Sequence, residues 1–163
     1  MANDTTTIRG KEKKETFHRE AESRITPFSF KRPTDGLDSS KAVFYLAHSD
    51  LLMATMQVII EGGDNNLHYH PGRDSLWMVM KGRVRFHGAH GVIGEYGRHE
   101  GLITPHNSRY WFESASDGEE LHLLHIETAN RRKNQKNRVN LTPKRPGQSP
   151  NKRIGYPAGL RHD

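Results

Sequence analysis

Residues 66–88 read NLHYHPGRDSLWMVMKGRVRFHG, and this stretch contains the features that decide the fold. The run SLWMVMK (75–81) is followed by Gly82 and by a second run in which Val84 and Phe86 alternate with polar residues. Such alternation is typical of β-strands, and a glycine between two runs is typical of a hairpin. In SLWMVMK both alternating sets are largely apolar, which predicts a strand covered on both faces.

Similar short apolar runs occur on both sides of this stretch, separated by Gly, Asn, Asp and Ser. They include AVFYLAH (42–48), LLMATMQVII (51–60), RYWFES (109–114) and LHLLHIE (121–127). Strands at this spacing indicate an antiparallel sandwich or barrel, and no segment keeps a strong helical period for three turns. We therefore predict an all-β domain of eight to ten strands over residues 25–130.

The charge of the chain is divided unevenly between the body and a C-terminal tail. The 163 residues carry a net charge of +6, yet residues 131–163 hold ten of the 25 Lys and Arg and one of the 19 acidic residues. The body is therefore mildly acidic, and the pI of about 9.7 reflects the tail. Nucleic acid is not an expected partner, because any such binding would fall to the tail, which has one aromatic residue, Tyr156.

The tail, residues 131–163, contains half of the eight prolines of the chain, and proline disfavours helices and central strands alike. We predict a mostly irregular arm. Three roles stay open: a solvated tail, an arm that packs on a neighbouring subunit, or a segment that binds phosphate or nucleic acid. The apolar residues that a packing arm would use are Val139, Leu141, Ile154, Tyr156 and Leu160.

The remaining composition excludes several classes of protein. Residues 1–24 form a charged segment, for which we predict either a short helix or a second, mostly irregular arm. The absence of cysteine excludes disulfides, a cysteine nucleophile and thiolate metal sites. No run approaches the roughly 20 apolar residues of a membrane span, so we expect a soluble, cytoplasmic protein with no membrane partner. The motifs of α/β hydrolases, P-loop proteins and dinucleotide-binding domains are missing.

Two histidines, His68 and His70, stand one residue apart just before the apolar run. On a strand, side chains at i and i+2 point to the same face, with Cα atoms roughly 6.5–7 Å apart. Both imidazoles can therefore converge on one metal ion inside a small barrel, and neutral imidazole suits Fe, Zn, Mn, Ni or Cu. A surface or hydrogen-bonded pair is the alternative, since the chain contains eleven histidines.

The spacing around this pair resembles the first motif of the cupin superfamily. That motif consists of a glycine, five residues, H-x-H, three or four residues, a glutamate, six residues and a second glycine. Gly62, His68, His70 and Gly82 stand at the matching positions, whereas Ser75 stands where the family has its glutamate. The resemblance extends over about residues 50–128 and implies a jelly-roll β-barrel, often dimeric, with a metal inside.

The second cupin motif is matched less completely. Pro105 is kept, and Asn107 stands at a glycine position, where Asn can adopt the left-handed conformation of a tight turn. Tyr110 stands where the family has its third histidine ligand. Two of four ligand positions are therefore kept.

Three interpretations of this partial match stay open. In the first, His68 and His70 hold a metal together with a less usual group, which is Tyr110, Asp74 or His106. In the second, a metal binds weakly or not at all, and the histidines act as acid–base or ligand-binding groups. In the third, the barrel is a structural or sensing module. Two protein ligands alone are fewer than the three usual for a catalytic zinc site.

Further candidates lie beside the two motifs. Trp77 and Phe112 are expected to face the interior with Tyr110, to which we assign a catalytic role because a phenol can hydrogen-bond a substrate or reach a metal. Arg73 and Arg109 are expected near the barrel mouth, where a guanidinium can hold a carboxylate or phosphate. The alternatives are core packing for the aromatic residues and solvated turns for the arginines.

The resemblance implies a small-molecule cupin, in the first place a metal-dependent enzyme of the dioxygenase, isomerase or lyase type. Its cofactor would be a divalent Fe, Zn, Mn or Ni ion, and its substrate a small organic acid or polar ring compound. A non-catalytic metabolite-binding or sensing cupin is the alternative. We also expect a homodimer, since exposed sheet edges often pair. His122 and His125 lie on opposite faces of the last strand and receive no role.

Overall fold

Strands dominate the fold. A computed structural model of the protein describes residues 4–34, 37, 39–129, 136–143 and 152–155. Within these residues the elements are α1 (Asp4–Glu22), β1 (Lys41–His48), β2 (Leu52–Ile59), β3 (Gly63–Tyr69), β4 (Ser75–Lys81), β5 (Val84–Gly88), β6 (Gly91–Tyr96), β7 (Gly101–Thr104), β8 (Tyr110–Ser114), β9 (Leu121–Thr128), β10 (Val139–Asn140) and β11 (Lys152–Ile154).

The strands form two sheets that pack face to face. The strand order is β11-β1-β2-β9-β4-β7 in the first sheet and β10-β3-β8-β5-β6 in the second. All described neighbours are antiparallel except β1 and β11. This double-sheet arrangement confirms the predicted jelly-roll class. The predicted closure into a barrel is not observed, because no described strand joins one sheet to the other by backbone hydrogen bonds.

A core of aromatic and aliphatic side chains fills the space between the sheets. The first sheet contributes Ile59, Trp77, Val79, Leu121 and Leu123, and the second contributes Val84, Phe86, Tyr110 and Phe112. The Trp77 ring lies 5.2 Å from the Phe112 ring and 5.8 Å from the Phe86 ring. Trp77 therefore links the two layers, as expected of a large aromatic side chain in a core.

Strand β4 alternates as the sequence predicts. Its inward side chains are Ser75, Trp77 and Val79, all buried, and its outward side chains are Leu76, Met78 and Met80, each 36–37% exposed. The inward half of the prediction is confirmed. Within the described chain no second layer covers the outward face, and a cover by another subunit stays a prediction.

The segment before β1 packs on the outer face of the first sheet, over β1 and β9. Phe30 packs edge-on against Phe44 at 5.4 Å and against His122 at 5.8 Å. Arg32 pairs with Glu120 through an Nε–Oε2 contact of 3.1 Å. The hydrogen bonds from Arg32 lower the pKa of the Glu120 carboxyl to about 2. An aromatic contact and an ion pair thus fasten this segment to the sheet.

The N-terminal segment is helical, which agrees with one of the two predicted forms, the short helix, and corrects the prediction of a mostly irregular arm. Helix α1 contains many Glu, Lys and Arg residues, which lose little side-chain freedom in a helix. Glu15 and Arg19 add an ion pair of 3.2 Å at i, i+4 spacing. All of residues 12–22 are exposed. In the described part of the chain no helix combines the length and apolar content that a bilayer crossing requires.

Two short strands of the tail join the body of the protein. β10 pairs with β3 at the edge of the second sheet, and β11 pairs with β1 at the edge of the first. Of the predicted packing residues, Ile154 contacts the cluster on β1 and β2, and Val139 lies on β10. Both short strands therefore pair with sheets of their own chain. Tyr156 and Leu160 lie outside the described residues.

Gly101 lies where the neighbouring strand leaves no room for a side chain. A methyl group added to Gly101 would lie 1.8 Å from the Trp77 carbonyl oxygen and 3.0 Å from the Met78 Cα, both on β4. Backbone atoms cannot move aside as a flexible side chain can. At Gly88, by contrast, the nearest atom would be a side-chain carbon of Ile93 at 3.4 Å.

We expect Gly101→Ala to destabilise the protein by about 1–3 kcal/mol, because β7 must move away from β4. Gly88→Ala is the matched control, with an expected change within about 0.5 kcal/mol. Urea unfolding monitored by tryptophan fluorescence measures both. Equal stability of the two variants would contradict the close approach of β7 to the Trp77 carbonyl.

Candidate functional site

Polar side chains replace apolar ones in part of the interior. The strand register aligns Thr55, His125 and Trp77 in one row across β2, β9 and β4, and Met53, Glu127 and Ser75 in the next row. Paired residues on neighbouring strands present their side chains on the same face. All six side chains are buried, so these two rows form a polar surface that faces the interior.

His125 stands at the centre of this surface. Its ring stacks on the Trp77 ring at 3.8 Å with an angle of 8° between the planes. Its Nε2 atom lies 3.1 Å from the Ser75 hydroxyl oxygen. The stack and the hydrogen bond fix the orientation of the imidazole, which is 8% exposed. Trp77 in turn donates its indole N–H to the Thr104 hydroxyl at 3.2 Å.

Glu127, in the neighbouring row, forms a buried ion pair with Arg73. The Arg73 Nη1 and Glu127 Oε1 atoms are 2.5 Å apart, and the two side chains are 11% and 3% exposed. The second carboxylate oxygen of Glu127 lies 3.9 Å from His125 Nε2. Burial raises the pKa of the Glu127 carboxyl to about 7, although Arg73 acts in the opposite direction. A carboxyl with this pKa changes charge near neutral pH.

The second sheet brings the two predicted histidines together with Tyr110. The centres of the His68 and His70 rings are 5.3 Å apart. Tyr110 pairs with His68 across β8 and β3, and their rings are 4.6 Å apart. Tyr110 also lies 6.1 Å from Trp77 of the first sheet. A continuous series of rings therefore runs from His68 to His125.

Backbone carbonyls select the tautomer of both histidines. His68 Nδ1 donates to the Asn66 carbonyl at 2.8 Å, and His70 Nδ1 donates to the Asn137 carbonyl at 2.7 Å. A carbonyl oxygen only accepts, so the proton of each neutral ring is on Nδ1 and the lone pair is on Nε2. His68 is 1% exposed and His70 is half-buried. In this tautomer Nε2 carries the lone pair, which is the form that can bind a metal ion or accept a proton from a substrate.

The described donors near His68 and His70 are fewer than the ligands of a usual metal site. Asp74 and His106, two predicted additional ligands, are about half exposed and pair with each other at 2.9 Å. Residues 4–34, 37, 39–129, 136–143 and 152–155 contain no group of three or more His, Asp or Glu arranged to hold a metal. Two imidazoles and the Tyr110 phenol are left. The predicted metal role of His68 and His70 stays a prediction.

The other predicted binding residues take different places. Phe112 is fully buried in the apolar core, as its packing interpretation predicts, and the Lys41 ammonium lies 4.9 Å from its ring centre. Arg73 is not in a solvated turn at a rim, because its ion pair with Glu127 draws it inside. Arg109 is exposed just before β8. Of these four predicted residues, Trp77 belongs to the polar surface and Arg73 contacts it through Glu127.

Several residues of the polar surface were not predicted from the sequence. They include Thr55, His125 and Glu127. His122 and His125 lie on opposite faces of β9, as predicted, since His125 is inside and His122 pairs with Glu120 on the other face. The signal that could have identified Glu127 is its i+2 spacing from His125, which places both on one face.

Two buried polar atoms on β2 are unsatisfied. The Thr55 hydroxyl oxygen and the Gln57 amide oxygen have no hydrogen-bond partner in the described part of the protein, although the residues are only 2% and 6% exposed. Their register partners on β9 are His125 and Leu123, so both side chains belong to the inward face. Such groups normally find a partner when buried.

Comparison with known structures places this arrangement among double-stranded β-helix proteins. A conserved protein with such a domain from Klebsiella pneumoniae is 17% identical, with a TM-score of 0.53, over 69% of this chain and 89% of that chain. A RmlC-like cupin from Shewanella frigidimarina is 18% identical, with a TM-score of 0.51, over 66% of this chain and 94% of that chain. At these identities the likeness concerns the fold alone.

A cupin-superfamily sugar phosphate isomerase from Silicibacter pomeroyi is 15% identical over 48% of this chain, with a TM-score of 0.44. This chain spans 51% of that protein, about half its length, and at this TM-score the likeness carries no functional argument. No protein-family model and no curated protein matches the sequence.

We expect Glu127→Gln to change how stability depends on pH. The folded protein holds the Glu127 proton up to about pH 7, whereas the unfolded chain releases it near 4.5. The free energy of unfolding of the natural protein should therefore decrease as the pH rises from 4.5 to about 7, by on the order of 3 kcal/mol. The variant, which lacks this carboxyl, should not show this decrease. Urea unfolding at a series of pH values measures it.

The two groups that face the carboxyl, Arg73 and His125, remain in the variant, so the difference between the two curves isolates Glu127. Glu61→Gln, at an exposed position, is the control and should follow the natural protein. Parallel curves for Glu127→Gln and the natural protein would show that burial does not raise this pKa.

Proposed function

This chain has the double-stranded β-helix fold of the cupin superfamily, and from that premise we propose that it binds a small polar organic molecule between its sheets. The proposed site is the polar part of the interior. There the Trp77–His125 stack of the first sheet lies near Tyr110 of the second. Concave interiors with a few fixed polar groups among aromatic side chains are the usual places for small ligands.

The observation that carries this proposal is the pair of unsatisfied atoms on β2. Burying a hydroxyl or an amide oxygen without a partner costs roughly 1–3 kcal/mol. A protein that places the Thr55 hydroxyl and the Gln57 amide oxygen on its inward face bears that cost in the described structure. A bound molecule with donors and acceptors of its own would remove it.

The surrounding side chains favour an organic acid or a polar ring compound. Trp77 and Tyr110 have flat faces on which a ring can pack. The Arg73 guanidinium is suited to a carboxylate, and a ligand carboxylate would share it with Glu127. The Ser75 hydroxyl and the His125 imidazole supply further hydrogen-bonding groups beside the stack.

The chemistry that these groups support is proton transfer. A carboxyl with a pKa of about 7, as at Glu127, can accept and donate a proton near neutral pH. His68, with its Nε2 lone pair, and the Tyr110 phenol lie on the second sheet. We propose an isomerase or lyase as the enzymatic form of this site, since such reactions move protons on a small molecule.

A non-catalytic metabolite-binding or sensing protein is the second candidate. It is favoured by Ser75 and Tyr110, which stand where the cupin motifs have a glutamate and a histidine. Both candidates share the ligand class and the site. They differ in turnover, so a bound acid that is recovered unchanged after incubation would favour the second.

The test of the proposal is the substitution Thr55→Val, which replaces the unsatisfied hydroxyl with a methyl group of similar size. We expect the free protein to be as stable as the natural one or more stable. We expect binding of the acids recognised by the natural protein to weaken about tenfold, because the ligand loses a hydrogen bond. The probes are small mono- and dicarboxylic acids and hydroxylated aromatic acids, followed by calorimetry.

Thr104→Val is the matched control. The Thr104 hydroxyl is also buried but accepts the Trp77 indole N–H, so its loss should destabilise the free protein by about 1–3 kcal/mol. The proposal fails if the natural protein binds none of these acids. It also fails if Thr55→Val lowers stability as Thr104→Val does and leaves affinity unchanged.

Metal content separates the proposal from the metal-dependent alternative. Because the donor set lacks a third imidazole or carboxylate, we expect the natural protein, His68→Ala and His70→Ala to contain the same low amounts of Fe, Zn, Mn and Ni. Elemental analysis of the purified proteins measures this. Near-equimolar metal in the natural protein that both variants lose would restore the metal-dependent enzyme.

A further inference from the structure

The C-terminal strap, defined here as residues 136–143, lies along β3 beside the two histidines. Leu67 is held from both sides: its carbonyl accepts the Leu141 N–H at 2.8 Å, and its N–H donates to the Thr142 hydroxyl oxygen at 2.8 Å. Strand β10, within the strap, pairs with His68 and Tyr69. The strap is thus bonded to the backbone on which the site is built.

Three side chains, Asn66 of β3 and Arg138 and Asn140 of the strap, form a closed hydrogen-bond network. The Asn66 amide donates to the Asn140 side-chain oxygen at 2.8 Å. Arg138 donates to the Asn66 side-chain oxygen at 2.7 Å and to the same Asn140 oxygen at 2.8 Å. Asn66 is 1% exposed, so these partners satisfy an amide that would otherwise be costly to bury.

The strap reaches both imidazoles. The Asn137 carbonyl accepts the His70 Nδ1 proton at 2.7 Å. The Asn66 carbonyl accepts the His68 Nδ1 proton at 2.8 Å, and the side chain of that same Asn66 is held by Arg138 and Asn140. One segment therefore supplies the acceptor for one ring and fixes the residue that supplies the acceptor for the other.

We infer that the strap is a positioning element of the site, with Arg138, Asn140 and Thr142 holding the His70 ring in its Nδ1–H tautomer and directing Nε2 to the interior. Groups that orient a histidine through its other ring nitrogen commonly change affinity or activity when removed. The inference rests on the proposed function in one respect, that these rings belong to the ligand site. The tail, which the sequence marks as a basic and proline-rich appendage, thereby becomes part of the site.

The experiment reads the tautomer directly. Protein labelled with ¹⁵N in histidine is studied by NMR at about pH 8, well above the ordinary imidazole pKa of ~6.5, and His70→Gln assigns the signals. The natural protein should give the ¹⁵N pattern of an Nδ1–H ring for His70. Arg138→Ala and Thr142→Val should shift this pattern toward the Nε2–H tautomer.

Two controls distinguish positioning from general loss of structure. Thr142→Ser keeps the hydroxyl that accepts the Leu67 N–H and should restore the natural pattern. Arg153→Ala removes the same type of side chain from β11, which belongs to the other sheet, and should leave His70 unchanged. If Arg138→Ala does not fold, the Thr142→Val and Thr142→Ser pair still decides the question.

The inference is overturned if His70 is an Nε2–H ring in the natural protein, or if its pattern is the same in all variants. These outcomes are independent of ligand. Where the natural protein binds one of the carboxylic acids, Arg138→Ala should weaken that binding about tenfold. Failure of the natural protein to bind any acid would overturn the proposed function and leave the tautomer result to stand alone.

Discussion

A polar group removed from water must find a partner inside the protein, and this constraint governs the interior described above. The Glu127 carboxylate has Arg73, the His125 imidazole has Ser75, and His68 has the carbonyl of Asn66. In the first two pairs the partners are 54 and 50 residues apart in sequence. Each pair ties β9 to the start of β4. The polar surface is therefore possible only when the first sheet has its correct register.

The strands could be predicted from the sequence because their signal is local. Alternation in SLWMVMK and in the run after Gly82 depends on neighbouring residues, and the described β4 and β5 follow it. The convergence of His68 and His70 is predictable for the same reason, since it needs only the period of a strand. The sequence leaves residues 1–24 open between a short helix and an irregular arm, because this charged segment lacks the apolar period that predicts an amphipathic helix.

The polar surface could not be predicted, because it depends on pairing between distant strands. Nothing near His125 in the sequence reveals that Trp77 will stack on it or that Ser75 will lie beside it. The sequence predicts Arg73 near the barrel mouth, with a solvated turn as the alternative, and neither prediction places it in a buried ion pair. Its burial requires a carboxylate contributed by β9. The period of a sequence predicts which face of a sheet a side chain lies on. Its neighbours on that face depend on the register between paired strands, which is not a local property.

The strap follows β9 in the chain, so it is synthesised after the strands on which it packs. Synthesis proceeds from the N-terminus, so β1 to β9 leave the ribosome before residues 136–143. Until then the edge of β3 has unpaired backbone groups and the His70 ring lacks its Asn137 acceptor. A nascent chain at that stage would therefore expose the edge of β3 to other strands, and the orientation of the His70 ring would be set only after most of both sheets has formed.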